Sequence, residues 1–150
     1  MEKIIRQLGS IYRSLEYISN KEFENIGLDH NLYAYLVFIV EHPDTILEKL
    51  AFNLKVDKTT VSRALKKLES NNFIEKRFIG GNKKEVHLRA TEKGNIFYNQ
   101  VISEYRYSEK RLLSKLDVEQ QKWLSQCLDK IENEATKEWE TVKNGVERKY

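Results

Sequence analysis

Cysteine and long apolar runs are scarce in this sequence of 150 residues, and each scarcity excludes a class of protein. The single cysteine, Cys127, cannot form an intrachain disulfide, which favours a reducing compartment over secretion. The apolar stretch LYAYLVFIV is far shorter than the roughly 20 residues that cross a bilayer, so no membrane contact is expected. The first ten residues, MEKIIRQLGS, contain no apolar signal core followed by a cleavage site. These absences predict a cytoplasmic protein.

Catalytic and metal-binding motifs are also missing. The sequence has no phosphate loop, dinucleotide-binding glycine pattern, H-E-x-x-H or nucleophile elbow, and its carboxylates are scattered over charged helical faces. The three histidines have no metal-ligand spacing with one another or with Cys127. Cys127 lies in an apolar stripe, where an inert buried thiol is favoured over a redox sensor. We therefore expect no enzyme, no catalytic residue, no metal and no cofactor.

The positive charge is concentrated in one segment. Between Lys55 and Lys93 there are eleven basic and five acidic residues, a balance of +6, whereas the rest has fifteen basic and eighteen acidic residues, a balance of −3. This asymmetry is typical of a surface that binds phosphates, although a basic solvated face remains open on charge alone.

The spacing of apolar residues predicts a mainly helical chain. Asp29 is expected to cap a second, mostly apolar helix that ends at His42-Pro43-Asp44. A short helix over about residues 45–53 and a longer one capped by Asp57 are predicted to follow. An amphipathic first helix, whose seam suits another helix or another subunit, is indicated by Ile4, Leu8, Ile11, Leu15 and Ile18.

The period changes from helical to alternating after this fourth helix. FIEKRFI and EVHLRA are short and rich in β-forming residues, and GGNKK joins them, so they predict an antiparallel hairpin. Thr91 is expected to cap a long helix, and a break near Leu116-Asp117 precedes a last one. The predicted fold is mainly α with a small β-hairpin wing, in the order helix, helix, helix, helix, hairpin, helix, helix.

Two helices joined by a short turn and followed by a basic hairpin predict a winged helix-turn-helix. Short hydroxyl side chains in the first turn of the fourth helix suit an N-terminus that enters a major groove. Arg63 has the forked geometry for a bidentate guanine contact, and lysines suit phosphates. The predicted DNA-binding residues are Lys58, Thr59, Thr60, Ser62, Arg63, Lys66 and Lys67 on the helix, and Arg77, Asn82, Lys83 and Lys84 on the hairpin. A winged-helix module that contacts another protein is the alternative.

The segment LEKLAFNLKVDKTTVSRALKKLESNNFIEKR resembles the short helix, turn, recognition helix and first wing strand of the MarR family of bacterial transcription regulators. LRATEKG resembles that family's second wing strand leading into a long dimerisation helix. The resemblance implies a single domain over 1–150, with dimerisation helices at about 1–28 and 95–150 and a winged DNA-binding lobe at about 29–94. It further implies a homodimer on double-stranded DNA, more often a repressor than an activator. The family's acidic-x-Arg wing motif is replaced by Asn82-Lys83-Lys84.

The resemblance also implies an effector, because members of the family often release DNA when a small aromatic or anionic ligand binds. Such a ligand would lie between the dimerisation helices and the DNA-binding lobe. The residues that could border this crevice are Tyr12, Tyr33, Tyr35 and Phe38. Aromatic residues at helical spacing in an apolar helix are also typical of a core, and the sequence leaves that reading open.

Overall fold

A computed structural model describes residues 2–150, which form two compact units. One unit ends at Ser108 and the other runs from Glu109 to Tyr150. The predicted division into a winged lobe at about 29–94 and flanking dimerisation helices stays a prediction.

The first unit contains four helices, a hairpin and most of a fifth helix. The two strands are antiparallel, with Ile74 opposite Ala90 and Arg77 opposite His87. The predicted order of elements is confirmed. The helices are α1 (Lys3–Phe23), α2 (Leu32–Glu41), α3 (Leu47–Leu54), α4 (Lys58–Ser70), α5 (Glu92–Leu112) and α6 (Val118–Lys143), and the strands are β1 (Ile74–Arg77) and β2 (His87–Ala90).

The core of the first unit draws side chains from α2, α3, α4, α5 and both strands. Because each helix contributes one apolar face, the opposite face of each is left for other contacts. Burial therefore fixes which side of α4 faces outward. The largest fully buried side chains are Leu28, Leu36, Ile39, Leu50, Val61, Leu68, Phe73, Leu88 and Val101.

The start of α2 differs from the prediction. The helix begins at Leu32, and the residue before it, Asn31, has a left-handed φ of 64° rather than the geometry of a capped start at Asp29. The Asn31 backbone N–H donates to the side-chain oxygen of Asn20 on α1 at 2.8 Å. The helix start is therefore set by a contact with α1, which local capping rules do not take into account.

The hairpin joins α5 through a close backbone approach. The Thr91 hydroxyl accepts a hydrogen bond from the Gly94 backbone N–H at 3.1 Å, so the predicted cap is confirmed. A Cβ on Gly94 would lie 2.1 Å from the backbone oxygen of Phe73. Only glycine allows α5 to pack this closely against the residue that begins the wing.

The second unit is formed by the end of α5 and by α6. Asp117 caps α6 in a reciprocal box with Gln120, which matches the predicted break near Leu116-Asp117. No residue of α6 is buried, and large apolar side chains such as Trp123, Leu128 and Ile131 are exposed along it.

Candidate nucleic-acid interface

The position of α4 is set by Asp57 at its N-terminus. The Thr60 backbone N–H donates to Asp57 Oδ1 at 2.8 Å, and the Thr60 hydroxyl donates to Asp57 Oδ2 at 2.7 Å. The predicted cap is therefore confirmed. The Thr60 hydroxyl proton is already used in this cap, so Thr60 can offer a base edge only its oxygen lone pairs.

Asp57 makes the start of α4 sensitive to acid. The hydrogen bond from the Thr60 hydroxyl, followed by the one from the Thr60 backbone, lowers the pKa of the Asp57 carboxyl below its ordinary value. Because the folded pKa is the lower one, this contribution to stability is present above about pH 4 and is lost as the pH falls through the lowered pKa. We expect Asp57→Ala to lower Tm at pH 7 measurably, whereas Asp57→Asn, which can still cap, should change it little.

Circular dichroism melts at pH 7 and pH 3.5 check this prediction. The gap in Tm between wild type and Asp57→Asn should change between the two pH values, because asparagine does not titrate. Equal gaps at both would show that the Asp57 charge contributes nothing to the cap.

The outward face of α4 carries the residues best placed to contact a ligand. Val61, Leu65 and Leu68 are buried against the core. At 3.6 residues per turn, the stripe opposite them contains residues 59, 63 and 66. Thr59, Arg63 and Lys66 are all exposed. Thr60 and Lys67 lie at one edge of this stripe, and Ser62 lies half-buried at the other.

Two of the predicted basic residues are engaged with carboxylates. Lys58 Nζ lies 3.7 Å from Glu48 Oε1 on α3, and Arg77 Nε donates to Glu75 Oε1 at 2.8 Å. Arg77 must give up or share this contact to reach a phosphate. Within residues 2–150, no carboxylate pairs with five other predicted cations, which are Arg63, Lys66, Lys67, Lys83 and Lys84.

The wing tip is a tight turn over residues 79–82. The Asn82 backbone N–H donates to Ile79 O at 3.2 Å, and Gly80 and Gly81 have φ of 63° and 74°. Positive φ at both central residues is the geometry of a type I′ turn, which glycine adopts without strain. The Asn82 side-chain oxygen accepts from the Lys84 backbone N–H at 2.9 Å. Asn82 is thus partly occupied with shaping the tip.

The two wing lysines have different surroundings. Lys83 is exposed near the tip. Lys84 is also exposed, and together with Asn82 it lines an open cleft shared with Ile46, Leu47 and Glu48 at the start of α3. The two lysines are therefore not equivalent as candidate phosphate contacts.

The base of the wing is held by a polar network that no local sequence pattern predicts. Arg89 on β2 pairs with Asp44, and this contact is the main reason that the pKa of the Asp44 carboxyl lies below its ordinary value. His87 Nδ1 lies 2.8 Å from Asp44 O, and the Leu88 backbone N–H donates to Thr45 O at 2.8 Å. These contacts fix β2 to the loop after α2 and so hold the wing relative to the core.

The four aromatic residues predicted to border an effector crevice have different neighbours. Tyr33 is buried and packs on Phe23 and edge-on to Tyr105. Burial raises the pKa of Tyr33 to about 12. Phe38 instead stacks on His42, with ring centroids 4.1 Å apart.

The remaining two of these residues also differ from each other. Tyr35 is 5% exposed, and burial, followed by the charge of Asp57, raises its pKa. Tyr12 is 61% exposed on α1 and donates to Glu16 Oε1 at 3.0 Å. Of the four, Tyr12 lies on α1 and Tyr33 packs against Phe23 of that helix.

The described residues contain neither a membrane-spanning helix nor a metal-binding cluster. No helix in residues 2–150 is both long enough and apolar enough to cross a bilayer. Over the same residues, no three His, Cys, Asp or Glu side chains are grouped so that they could hold a metal ion.

Comparisons with known proteins identify the family of this chain. The sequence model of the MarR family matches residues 28–86, which include α2, α3, α4 and β1. The chain is 41% identical over its full length, and over the full length of the relative, to the uncharacterized HTH-type transcriptional regulator YybA of Bacillus subtilis (strain 168). The chain belongs to the MarR family of transcription regulators.

Solved structures of MarR-family relatives have the same fold over the whole chain. A SlyA-like transcription regulator from Listeria monocytogenes has a TM-score of 0.94 at 39% identity, with 100% of both chains covered. A MarR-family regulator from Listeria monocytogenes complexed with 26mer DNA has a TM-score of 0.95 at 39% identity, again with 100% of both chains covered. The predicted winged helix-turn-helix is confirmed. MarR-family regulators bind DNA and are not enzymes, in agreement with the lack of catalytic motifs in the sequence.

Proposed function

We propose that this MarR-family regulator binds double-stranded DNA sequence-specifically as a homodimer and represses transcription. The observation that carries the proposal is the outward stripe of α4, where Thr59, Arg63 and Lys66 are exposed and the two cations have no carboxylate partner within residues 2–150. Unpaired cations on a fixed helix lose no ion pair when they meet phosphates, so the full attraction is available for binding. The structure of a relative complexed with 26mer DNA supports DNA as the ligand.

In this proposal α4 enters the major groove and the wing follows the neighbouring backbone. Arg63 lies in the middle of the outward stripe, where its guanidinium can donate two hydrogen bonds to guanine O6 and N7. Thr59 and Ser62 contact base edges or phosphates, whereas Lys66 and Lys67 neutralise phosphates. Asn82, Lys83 and Lys84 contact the backbone or the minor groove, and Lys58 and Arg77 join them at the cost of their ion pairs with Glu48 and Glu75.

The exposed apolar surface of the two terminal regions supports the homodimer. On α1, Ile4 is 63%, Ile11 is 50% and Ile18 is 44% exposed, and these residues lie on one seam. Exposed apolar stripes on helices are typically covered by another helix or another subunit. A two-fold dimer would bind a pseudo-palindrome whose half-site centres are about one helical turn, roughly 10 bp, apart.

Release by a small aromatic or anionic effector is the further part of the proposal. Tyr33 packs on Phe23 of α1, the helix that also carries Tyr12. The charges of Tyr12, Glu16 and Glu104 raise the pKa of Tyr33 further. An anionic ligand would be repelled by these carboxylates, so an aromatic ligand of low charge is favoured. Tyr35 and Phe38 have other neighbours. In this proposal they do not touch the ligand and act only as packing residues beside its site.

Footprinting on the DNA upstream of the protein's own gene tests the proposal. Protection of two symmetric half-sites, with two chains per duplex measured by analytical ultracentrifugation, is the expected result. One chain per duplex would contradict the dimer, and uniform protection along the DNA would contradict sequence-specific binding.

Lys84 should contribute charge but no sequence information. We expect Lys84→Ala to weaken binding to all duplexes alike and to reduce the slope of log K against log salt by about one unit per wing. Salt titrations by fluorescence anisotropy measure the slope. Lys122→Ala, which removes an exposed lysine from α6, is the control and should leave it unchanged. A change in sequence preference with an unchanged slope would place Lys84 at a base edge instead.

A further inference from the structure

Two adjacent apolar side chains are exposed on the wing where its tight turn begins. Phe78 is 59% and Ile79 is 44% exposed. β1 ends at Arg77, so Phe78 follows the last paired residue of the strand. Within residues 2–150, the Phe78 ring stacks on no other aromatic ring. The wing therefore presents an apolar pair that the chain itself does not cover.

The surroundings of this pair indicate what would cover it. Lys83 and Lys84, both exposed, follow the turn, and Arg77, which pairs with Glu75, precedes the pair, so positive charge flanks the apolar pair in the sequence. A partner must then offer negative charge beside an apolar wall. The minor groove of DNA has this composition, because phosphates border a groove whose walls are the carbon atoms of deoxyribose. An acidic protein with an apolar groove would also fit, but the pair lies in the same basic segment as α4 and adjoins the wing residues Asn82, Lys83 and Lys84 that are proposed to contact DNA.

We propose that Phe78, assisted by Ile79, packs against the sugar wall of the minor groove and supplies an apolar part of DNA binding. This inference rests on the proposed function, to which it adds a contact without charge. The cation that the wing offers on the far side of the turn is Lys84, and an ammonium is costly to dehydrate in a narrow groove. An apolar side chain carries no charge to dehydrate, and its removal from water is itself favourable. Phe78 therefore adds affinity that Lys84 alone does not provide.

The two kinds of contact respond differently to salt. A cation that neutralises a phosphate releases counterions, so its removal lowers the slope of log K against log salt. An apolar side chain releases none. Removing Phe78 should therefore lower log K by the same amount at every salt concentration and leave the slope of log K against log salt unchanged.

The experiment is a set of salt titrations with wild type, Phe78→Ala and Phe78→Leu on one specific duplex. We expect Phe78→Ala to bind about tenfold more weakly at every salt concentration, in keeping with the loss of one buried aromatic side chain. Phe78→Leu, which keeps an apolar surface, should recover most of the affinity. Because Phe78 is largely exposed, melts of all three proteins should agree, which excludes a folding defect.

A shortened duplex provides the matched DNA control. With about half a turn, roughly 5 bp, removed from each end, the wings have no DNA beneath them, and wild type and Phe78→Ala should bind alike. Equal binding by both proteins on the long duplex would overturn the inference. So would a slope that falls as in Lys84→Ala, since Phe78 would then act only by positioning the lysines. Failure of wild type to prefer the specific duplex would instead overturn the proposed function.

Discussion

Arg63→Ala should cost about 1–3 kcal/mol of the discrimination between the operator and a duplex with one altered guanine. Arg63 is exposed in the middle of the outward stripe of α4, on a helix whose opposite face is fixed by Val61, Leu65 and Leu68. This packing fixes the backbone at Arg63, so less conformational entropy is lost when the Arg63 guanidinium binds a base. Removing it should abolish the preference at that base and leave binding driven by the remaining charges.

Competition between matched and altered duplexes, followed by fluorescence anisotropy, measures this discrimination. Arg63→Lys keeps the charge without the fork, so it should lose most of the discrimination while it retains the salt dependence. Unchanged preference in Arg63→Ala would mean that α4 does not read bases through this residue.

Gly94→Ala should lower the free energy of unfolding by about 2–3 kcal/mol, although alanine normally stabilises a helix relative to glycine. The added Cβ would lie 2.1 Å from the Phe73 backbone oxygen, and that oxygen also accepts from the Thr91 backbone N–H at 3.0 Å. Neither atom belongs to a flexible side chain. The strain can be relieved only if α5 moves away from the wing, which would open the core around Phe73.

Denaturant unfolding of Gly94→Ala beside Gly9→Ala measures this effect. Gly9 is also within a helix, but its added Cβ would meet only the flexible end of Arg13 at 3.1 Å. We expect Gly9→Ala to be neutral or slightly stabilising. Equal effects of the two substitutions would show that the close approach at Gly94 is not rigid.

Elements with a strong local signal could be predicted from the sequence. Asp57 stands directly before apolar residues at helical spacing, which indicated the start of α4. The change from helical to alternating apolar spacing, together with Gly80-Gly81, located the wing. Both depend on neighbours within a few residues, which is the range over which capping and turn rules act. The outward face of α4 followed directly from its buried face.

Contacts between distant residues could not be predicted in this way. Arg89 and Asp44 are 45 residues apart, and nothing in either local segment indicates that they pair. The same applies to the start of α2, where a bond from Asn31 to Asn20 overrides the local preference for Asp29. The pairing of Arg77 with Glu75 was also not predicted, since a strand sequence does not show which neighbour a long side chain will meet.

The most direct test of DNA recognition by this regulator is fluorescence anisotropy with DNA from upstream of its own gene. A shuffled duplex of the same composition should be titrated in parallel, and both series should cover a range of salt concentrations. Tight binding to the upstream duplex, much weaker binding to the shuffled one and a log-linear loss of affinity with salt are predicted. Equal affinity for the two duplexes would contradict sequence-specific binding, and no binding to either at low salt would favour a winged-helix module that contacts another protein.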